Sequence, residues 1–174
     1  LFWGFNAIAG RSAVGEVSPL LIVSCRWLGV SIFLTLLCRK ELFFAIKKFQ
    51  DNFGWFVMMG IFGFTGFNSL YYISAHHTIA INLGIVQSTM PAFIIIISFF
   101  WLKTKIVLMQ LFGLLVTFFG VLIVISNGNI ELLLNLKINK GDLIMTLACV
   151  FYAIYAVGLK KKPKLSNFLL ITFF

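Results

Sequence analysis

Runs of apolar residues, most of them long enough to cross a bilayer, alternate along the chain with short polar connections. One of these runs, Thr78 to Leu102, is 25 residues long and carries no charge. As a helix it would reach about 37 Å at ~1.5 Å per residue, enough for a hydrocarbon core of about 30 Å with some tilt. Its second half, from Ala92, is almost wholly apolar, whereas its first half carries Asn82, Gly84, Gln87, Ser88, Thr89 and Pro91. Gly84, Gln87, Ser88 and Pro91 fall at i, i+3, i+4 and i+7, one helical face. Proline removes a backbone donor and frees the carbonyl four residues back, so the run predicts a helix kinked near residue 91. In a bilayer such a break is tolerated where it meets protein or a water-filled cavity. This run is therefore expected to form a cavity wall near the midplane, with the other segments around it.

Numbered along the chain, this run is span 4. Span 1, Leu1 to Gly10, is too short to cross alone. A turn from Arg11 to Ser18 leads to span 2, Pro19 to Cys38, with proline suited to a first helical position. The loop Arg39 to Asn52 spaces Phe43, Phe44, Ile46 and Phe49 as an amphipathic surface helix would. Span 3, Phe53 to Ala75, places Gly60, Gly63 and Gly66 where another helix could approach closely. His76 and His77 turn the chain into span 4. Span 5, Ile106 to Ser126, carries Gly113 and Gly120 on one face. In the connection Asn127 to Gly141, the stretch Ile130 to Leu136, apolar apart from Glu131 and Asn135, is expected on the membrane surface. Span 6 is Asp142 to Leu159, and Phe168 to Phe174 begins a seventh run. A start at Leu1 inside an apolar stretch and a stop seven residues into a new run lead us to expect a fragment of a longer protein.

Composition fixes the class: 61% hydrophobic and 11% charged residues describe an integral membrane protein rather than a soluble domain. Its 21 phenylalanines favour helical spans over a barrel. The net charge of +9 does not indicate nucleic acid, because the basic residues sit between apolar segments as topology signals do. The loops after spans 2, 4 and 6 hold ten Lys and Arg, against three after spans 1, 3 and 5. That bias makes the even-numbered loops and the N-terminus cytoplasmic. Cys25, Cys38 and Cys149 show neither metal spacing nor an even count and are expected as small core residues.

An internal repeat adds to this. Trp3-Gly4-Phe5-Asn6-Ala7-Ile8 before Arg11 matches Tyr152-Ala153-Ile154-Tyr155-Ala156-Val157 before Lys160 in residue character. The copies lie in spans 1 and 6, five spans apart, so they run in opposite directions through the bilayer. Inverted repeats of this kind are a common plan of secondary transporters, with substrate bound where the halves meet.

Five stretches in order, WGFNAIAGR (Trp3 to Arg11), SPLLIVSCRW (Ser18 to Trp27), YYISAHHTIAINLGIVQSTMPAFIIIISFFWL (Tyr71 to Leu102), GLLVTFFGVLIV (Gly113 to Val124) and GDLIMTLACVFYAIYAV (Gly141 to Val157), resemble the EamA family of the drug/metabolite transporter superfamily. The resemblance implies an all-α polytopic bundle of ten helices in two inverted five-helix repeats. On it, residues 1–126 are the first repeat, clipped at its start. Residues 127–141 are then an extracytoplasmic linker, and residues 142–174 begin the second repeat. It also implies carriage of small metabolites, from amino acids to nucleotide conjugates and drugs. Members often carry a Gly-Glu-Arg type sequence after helix 4; here Lys103, Thr104 and Lys105 stand there, without the acid.

Polar and aromatic residues at membrane depth are the candidate substrate pathway: Trp3 and Asn6 on span 1; Asn68, Tyr71 and Tyr72 on span 3; Asn82, Gln87, Ser88, Thr89 and Pro91 on span 4; Tyr152 and Tyr155 on span 6. Each has a plainer reading. Asn6 could bond a neighbouring helix, the tyrosines could be interfacial anchors, and Ser88 and Thr89 could bond their own helix backbone. Arg26, about seven residues or roughly 10 Å inside span 2, reads equally as a functional charge or as a snorkelling one. His76 and His77 read as solvated turn residues. No Asp or Glu lies within an apolar span, and Asp142 stands at an entrance, which favours facilitated exchange over proton coupling in this stretch.

The expected function is a secondary transporter of a small organic or drug-like molecule working by alternating access. A non-transporting assembly or scaffold protein is the alternative. A membrane-embedded enzyme is the weaker one, since no nucleophile with its base, carboxylate pair or metal motif stands at membrane depth. No cofactor or metal is expected. The expected partners are a small-molecule substrate and the lipid bilayer, with a homodimer left open. The expected place is a bacterial inner membrane.

Overall fold

A computed structural model of the chain describes residues 18–126, 131 and 139–174. Span 1, with Trp3 and Asn6, and most of the connection after span 5 lie outside the described residues. All regular structure among the described residues is helical, and four helices are long and apolar enough to cross a membrane.

The first helix, α1 (Pro19–Asp51), starts with proline in its first turn and runs for 33 residues. The spacing had predicted a span ending at Cys38 and a separate surface helix; the two are one helix. No glycine or proline interrupts Ser31 to Asp51, and helix propagation is cooperative once begun. At about 50 Å it outruns the hydrocarbon core, which carries Lys47 and Lys48 beyond the apolar layer. Its far end packs against the last helix, α8 (Asn167–Phe173). There Phe49 stacks on Phe173 at 4.7 Å, and Lys48 Nζ donates to the Lys164 carbonyl at 3.0 Å.

Span 3 is one helical rod in three parts: α2 (Phe53–Met59), a π-helical stretch (Gly60–Gly66) and α3 (Phe67–His77). The wide stretch coincides with the three glycines. A helix without side chains there widens readily, and π turns often mark functional places in helices. The expected close approach is made by α7 (Lys140–Gly158), whose Tyr155 ring fills the space where a Cβ on Gly63 would stand.

Span 4 breaks as expected. The α4 helix (Ala80–Gln87) ends at a turn through Ser88 and Thr89, and α5 (Met90–Leu102) begins with Pro91 in its first turn. Lys103 closes it with φ 52°, a left-handed helix stop. Next comes α6 (Leu108–Ser126), where nothing lies within 4 Å of a Cβ built on Gly113 or Gly120. The central element among the described residues is α7, not span 4: α3, α4, α5 and the π stretch all pack on it. Met145, Ala148, Cys149 and Ala153 of α7 are wholly buried. The small Ala and Cys side chains let its neighbours close in. Of the cysteines expected in the core, Cys149 is there, Cys25 is exposed and Cys38 half-buried.

Candidate substrate site

Arg26 points into the bundle. Its Nη1 donates to the Tyr72 hydroxyl at 3.2 Å, and its Nη2 donates to Asn68 Oδ1. Asn68 and Tyr72 stand four residues apart on α3, so one face of that helix offers both acceptors. The Asn68 amide also donates to the Phe64 carbonyl at 2.7 Å, which anchors it to the π stretch. The guanidinium carbon lies 5.0 Å from the Trp27 ring and 5.9 Å from the Tyr72 ring, within cation–π range. Arginine at the centre of a spanning helix costs about 2.5–3.5 kcal/mol on insertion scales. Here neutral hydrogen-bond acceptors and aromatic faces offset part of that cost.

The neighbouring aromatic residues extend this centre. Tyr71 is buried with its ring against Tyr72 and Phe67, and Phe67 in turn meets Tyr152 at 5.0 Å. Tyr152 and Tyr155 stand 5.8 Å apart. Of the predicted residues, Tyr71, Tyr152 and Tyr155 thus lie along the contact of α3 and its π stretch with α7, while Asn68 and Tyr72 meet α1 at Arg26. A cavity of about 360 Å³ opens beside Trp27, lined by Ser24, Ser31, Phe64 and Thr65. A second, of about 430 Å³, is lined by Tyr155, Lys160, Lys162 and Asn167.

The polar half of span 4 is placed differently. The Ser88 and Thr89 hydroxyls donate to the Ile85 and Val86 carbonyls, each at 2.6 Å and three residues back. Both hydroxyls are thereby engaged with their own helix at the break before Pro91. Gln87 is half-buried and Pro91 exposed, and none of Gln87, Ser88, Thr89 and Pro91 lines either cavity. The Cys149 thiol reaches the Val86 carbonyl at 3.6 Å, so the break sits against α7.

Asn82 belongs to a network that the sequence reading missed. The Asp142 carboxylate, 8% exposed, accepts from Thr78 Oγ1 at 2.7 Å, Asn82 Nδ2 at 3.2 Å and the Asn139 backbone N–H at 3.0 Å. The Asn139 side chain accepts from the Asp142 N–H at 3.1 Å and donates to Thr78 Oγ1 at 2.9 Å. Ser74 Oγ donates to the Gly141 carbonyl at 2.7 Å. A capping box at the start of α7 is thereby joined to the turn between α3 and α4. The Asn-x-x-Asp spacing of Asn139 and Asp142 was the available signal, since a polar cap followed three residues later by an acid marks a helix start. Read only as an entrance, Asp142 is in fact a buried carboxylate holding three elements together.

Residues 1–126 match the model of the EamA-like transporter family. The chain is 31% identical over 160 residues to a protein of Bacillus subtilis (strain 168) named an uncharacterized transporter, YyaM, covering 90% of this chain and 52% of that one. It is 30% identical over 182 residues to an uncharacterized transporter of Buchnera aphidicola subsp. Schizaphis graminum (strain Sg), covering 98% of this chain and 55% of that one. The chain therefore spans about half the length of these relatives. No solved structure matches it. The family match and the apolar helices together make this a multi-pass membrane protein.

Proposed function

The chain belongs to the EamA-like transporter family, and from that premise we propose that it is part of a secondary carrier of a small organic molecule, working by alternating access. The observation that carries the reading is the meeting of Arg26, Asn68 and Tyr72 inside the bundle. An ionisable side chain that faces polar partners inside a bundle is by default a candidate for a substrate pathway. The aromatic row from Tyr71 to Tyr155 supplies an apolar wall beside them, the combination small-molecule sites use. Rocking of the two repeats would make and break the junction at Asp142, which joins the first repeat to the helix expected to open the second. On the charge bias, the far end of α1 and the connections after α5 and α7 face the cytoplasm of a bacterial cell.

Transport into vesicles holding the full-length protein tests this. With a mixture of small metabolites, at least one is expected to accumulate above protein-free vesicles, and Asn68→Leu is expected to lower that flux several-fold while the protein still inserts. Equal accumulation with and without protein would remove the carrier reading.

A further inference from the structure

We propose that the cavity between α7 and α8 seats an anionic phospholipid of the bilayer, its phosphate at Lys160 and Lys162 and an acyl chain along the apolar wall below them. The inference stands apart from the carrier reading, since none of the residues that meet Arg26 lines this cavity. The chain leaves α7 through four lysines in the five residues from Lys160 to Lys164. A topology signal needs only positive charge near the span. The fold gives these residues separate places instead. Lys161 Nζ lies 5.5 Å from the Trp101 ring, and the Lys164 carbonyl accepts from Lys48 at 3.0 Å, which ties the turn to α1. Lys162 Nζ reaches across the turn and donates to Asn167 Oδ1 at 3.0 Å, at the first residue of α8. Asn167 is neutral, so Lys162 keeps its charge while its position is fixed.

Lys160 and Lys162 are exposed, and both line the cavity of about 430 Å³. Away from them the lining turns apolar: Ala156 and Leu159 from the α7 side, Leu170 and Ile171 from α8, with no acidic residue among the described ones. Tyr155, which also lines it, stands about 7–8 Å along the helix axis from Lys160. Over that length the cavity passes from cationic to apolar, the order in which a phospholipid passes from phosphate to acyl chain. A soluble phosphate would meet the lysines and leave the apolar wall without a partner. A zwitterionic phospholipid would bring its own cation to two ammonium groups. Basic pockets between spanning helices at the membrane surface hold anionic headgroups, each lysine strengthening binding about fivefold.

Lipid binding is read without transport. The purified full-length protein, stripped of lipid in a non-ionic detergent, is titrated with dioleoylphosphatidylglycerol and, separately, with dioleoylphosphatidylcholine, and bound lipid is counted by native mass spectrometry. Phosphatidylglycerol is expected to bind saturably, and phosphatidylcholine about tenfold more weakly. An excess of glycerol 1-phosphate, which has the phosphate but no chains, is expected not to displace the lipid. The double variant Lys160→Gln, Lys162→Gln is expected to weaken phosphatidylglycerol by about tenfold or more. The double variant Lys47→Gln, Lys105→Gln removes the same charge outside the cavity and is expected to leave binding unchanged. All four side chains are exposed, so neither variant disturbs the packing. Equal binding of phosphatidylcholine, displacement by glycerol 1-phosphate, undiminished binding by the Lys160 and Lys162 variant, or an equal loss in the Lys47 and Lys105 variant would each overturn the proposal. The last of these outcomes would make the attraction a diffuse one of net charge, and displacement would make the occupant a soluble phosphate.

Discussion

At Arg26 the interests of one side chain and of the bilayer conflict. The sequence located the conflict but not its resolution, because both a snorkelling and an inward-facing arginine satisfy the same spacing. The resolution depends on Asn68 and Tyr72 lying at the depth of Arg26, a matter of register between two helices. Tyr72→Phe tests the tie, since it removes one of the acceptors on which the guanidinium rests. A loss of about 1–3 kcal/mol, the range for a buried charged donor left short of an acceptor, is expected in the thermal unfolding of the full-length protein. An unchanged Tm would mean that the hydroxyl contributes nothing. Gln87 belongs to the same scale. Its polarity within a span was legible, and Gln87→Leu is expected to lower flux in vesicles without reducing membrane insertion. Ser88 and Thr89 differ from it because their hydroxyls are used within their own helix, so Ser88→Ala is expected to affect flux less than Gln87→Leu in the same assay.

Among elements, α7 and its mouth decide most. Gly141 meets the chain so closely that an added Cβ would stand 2.7 Å from Thr78 Cβ and 2.8 Å from the His77 carbonyl carbon. Backbone cannot swing aside as a side-chain tip can, so Gly141→Val is expected to push α7 away from the α3–α4 turn and lower the Tm by several degrees. Asp142→Ala should act at the same junction by another route. It strands the donors of Thr78, Asn82 and Asn139 in a buried place, each such loss costing about 1–3 kcal/mol. The unfolding midpoint of the full-length protein checks both; a midpoint within a degree of the parent would mean that the junction contributes little. The break in span 4 was legible because Pro91 acts on its own helix. The π stretch of span 3 was not, although its three glycines were noted, because widening depends on what packs against it.

At the scale of the molecule, the two ends of the bundle are chemically sorted. Lys161 Nζ lies 5.5 Å from the Trp101 ring and Lys48 reaches Lys164 at one end, while Thr78 and Asp142 meet at the other. The charge bias of the loops assigns the lysine-bearing end to the cytoplasm. Single cysteines at Lys103 and Lys160 are expected to react with an impermeant thiol reagent from the cytoplasmic face, and one at His76 from the opposite face; the reverse would invert the topology. The sequence alone determined the class, the approximate spans and the kink at residue 91. Each of these follows from overall composition or from residues acting along one helix. Tertiary structure alone decided that α7 is central, that Arg26 meets Asn68 and Tyr72, and that Asp142 is buried. Those outcomes turn on how far one helix slides and rotates against the next, and apolar spans leave little trace of that in the pattern of a single chain.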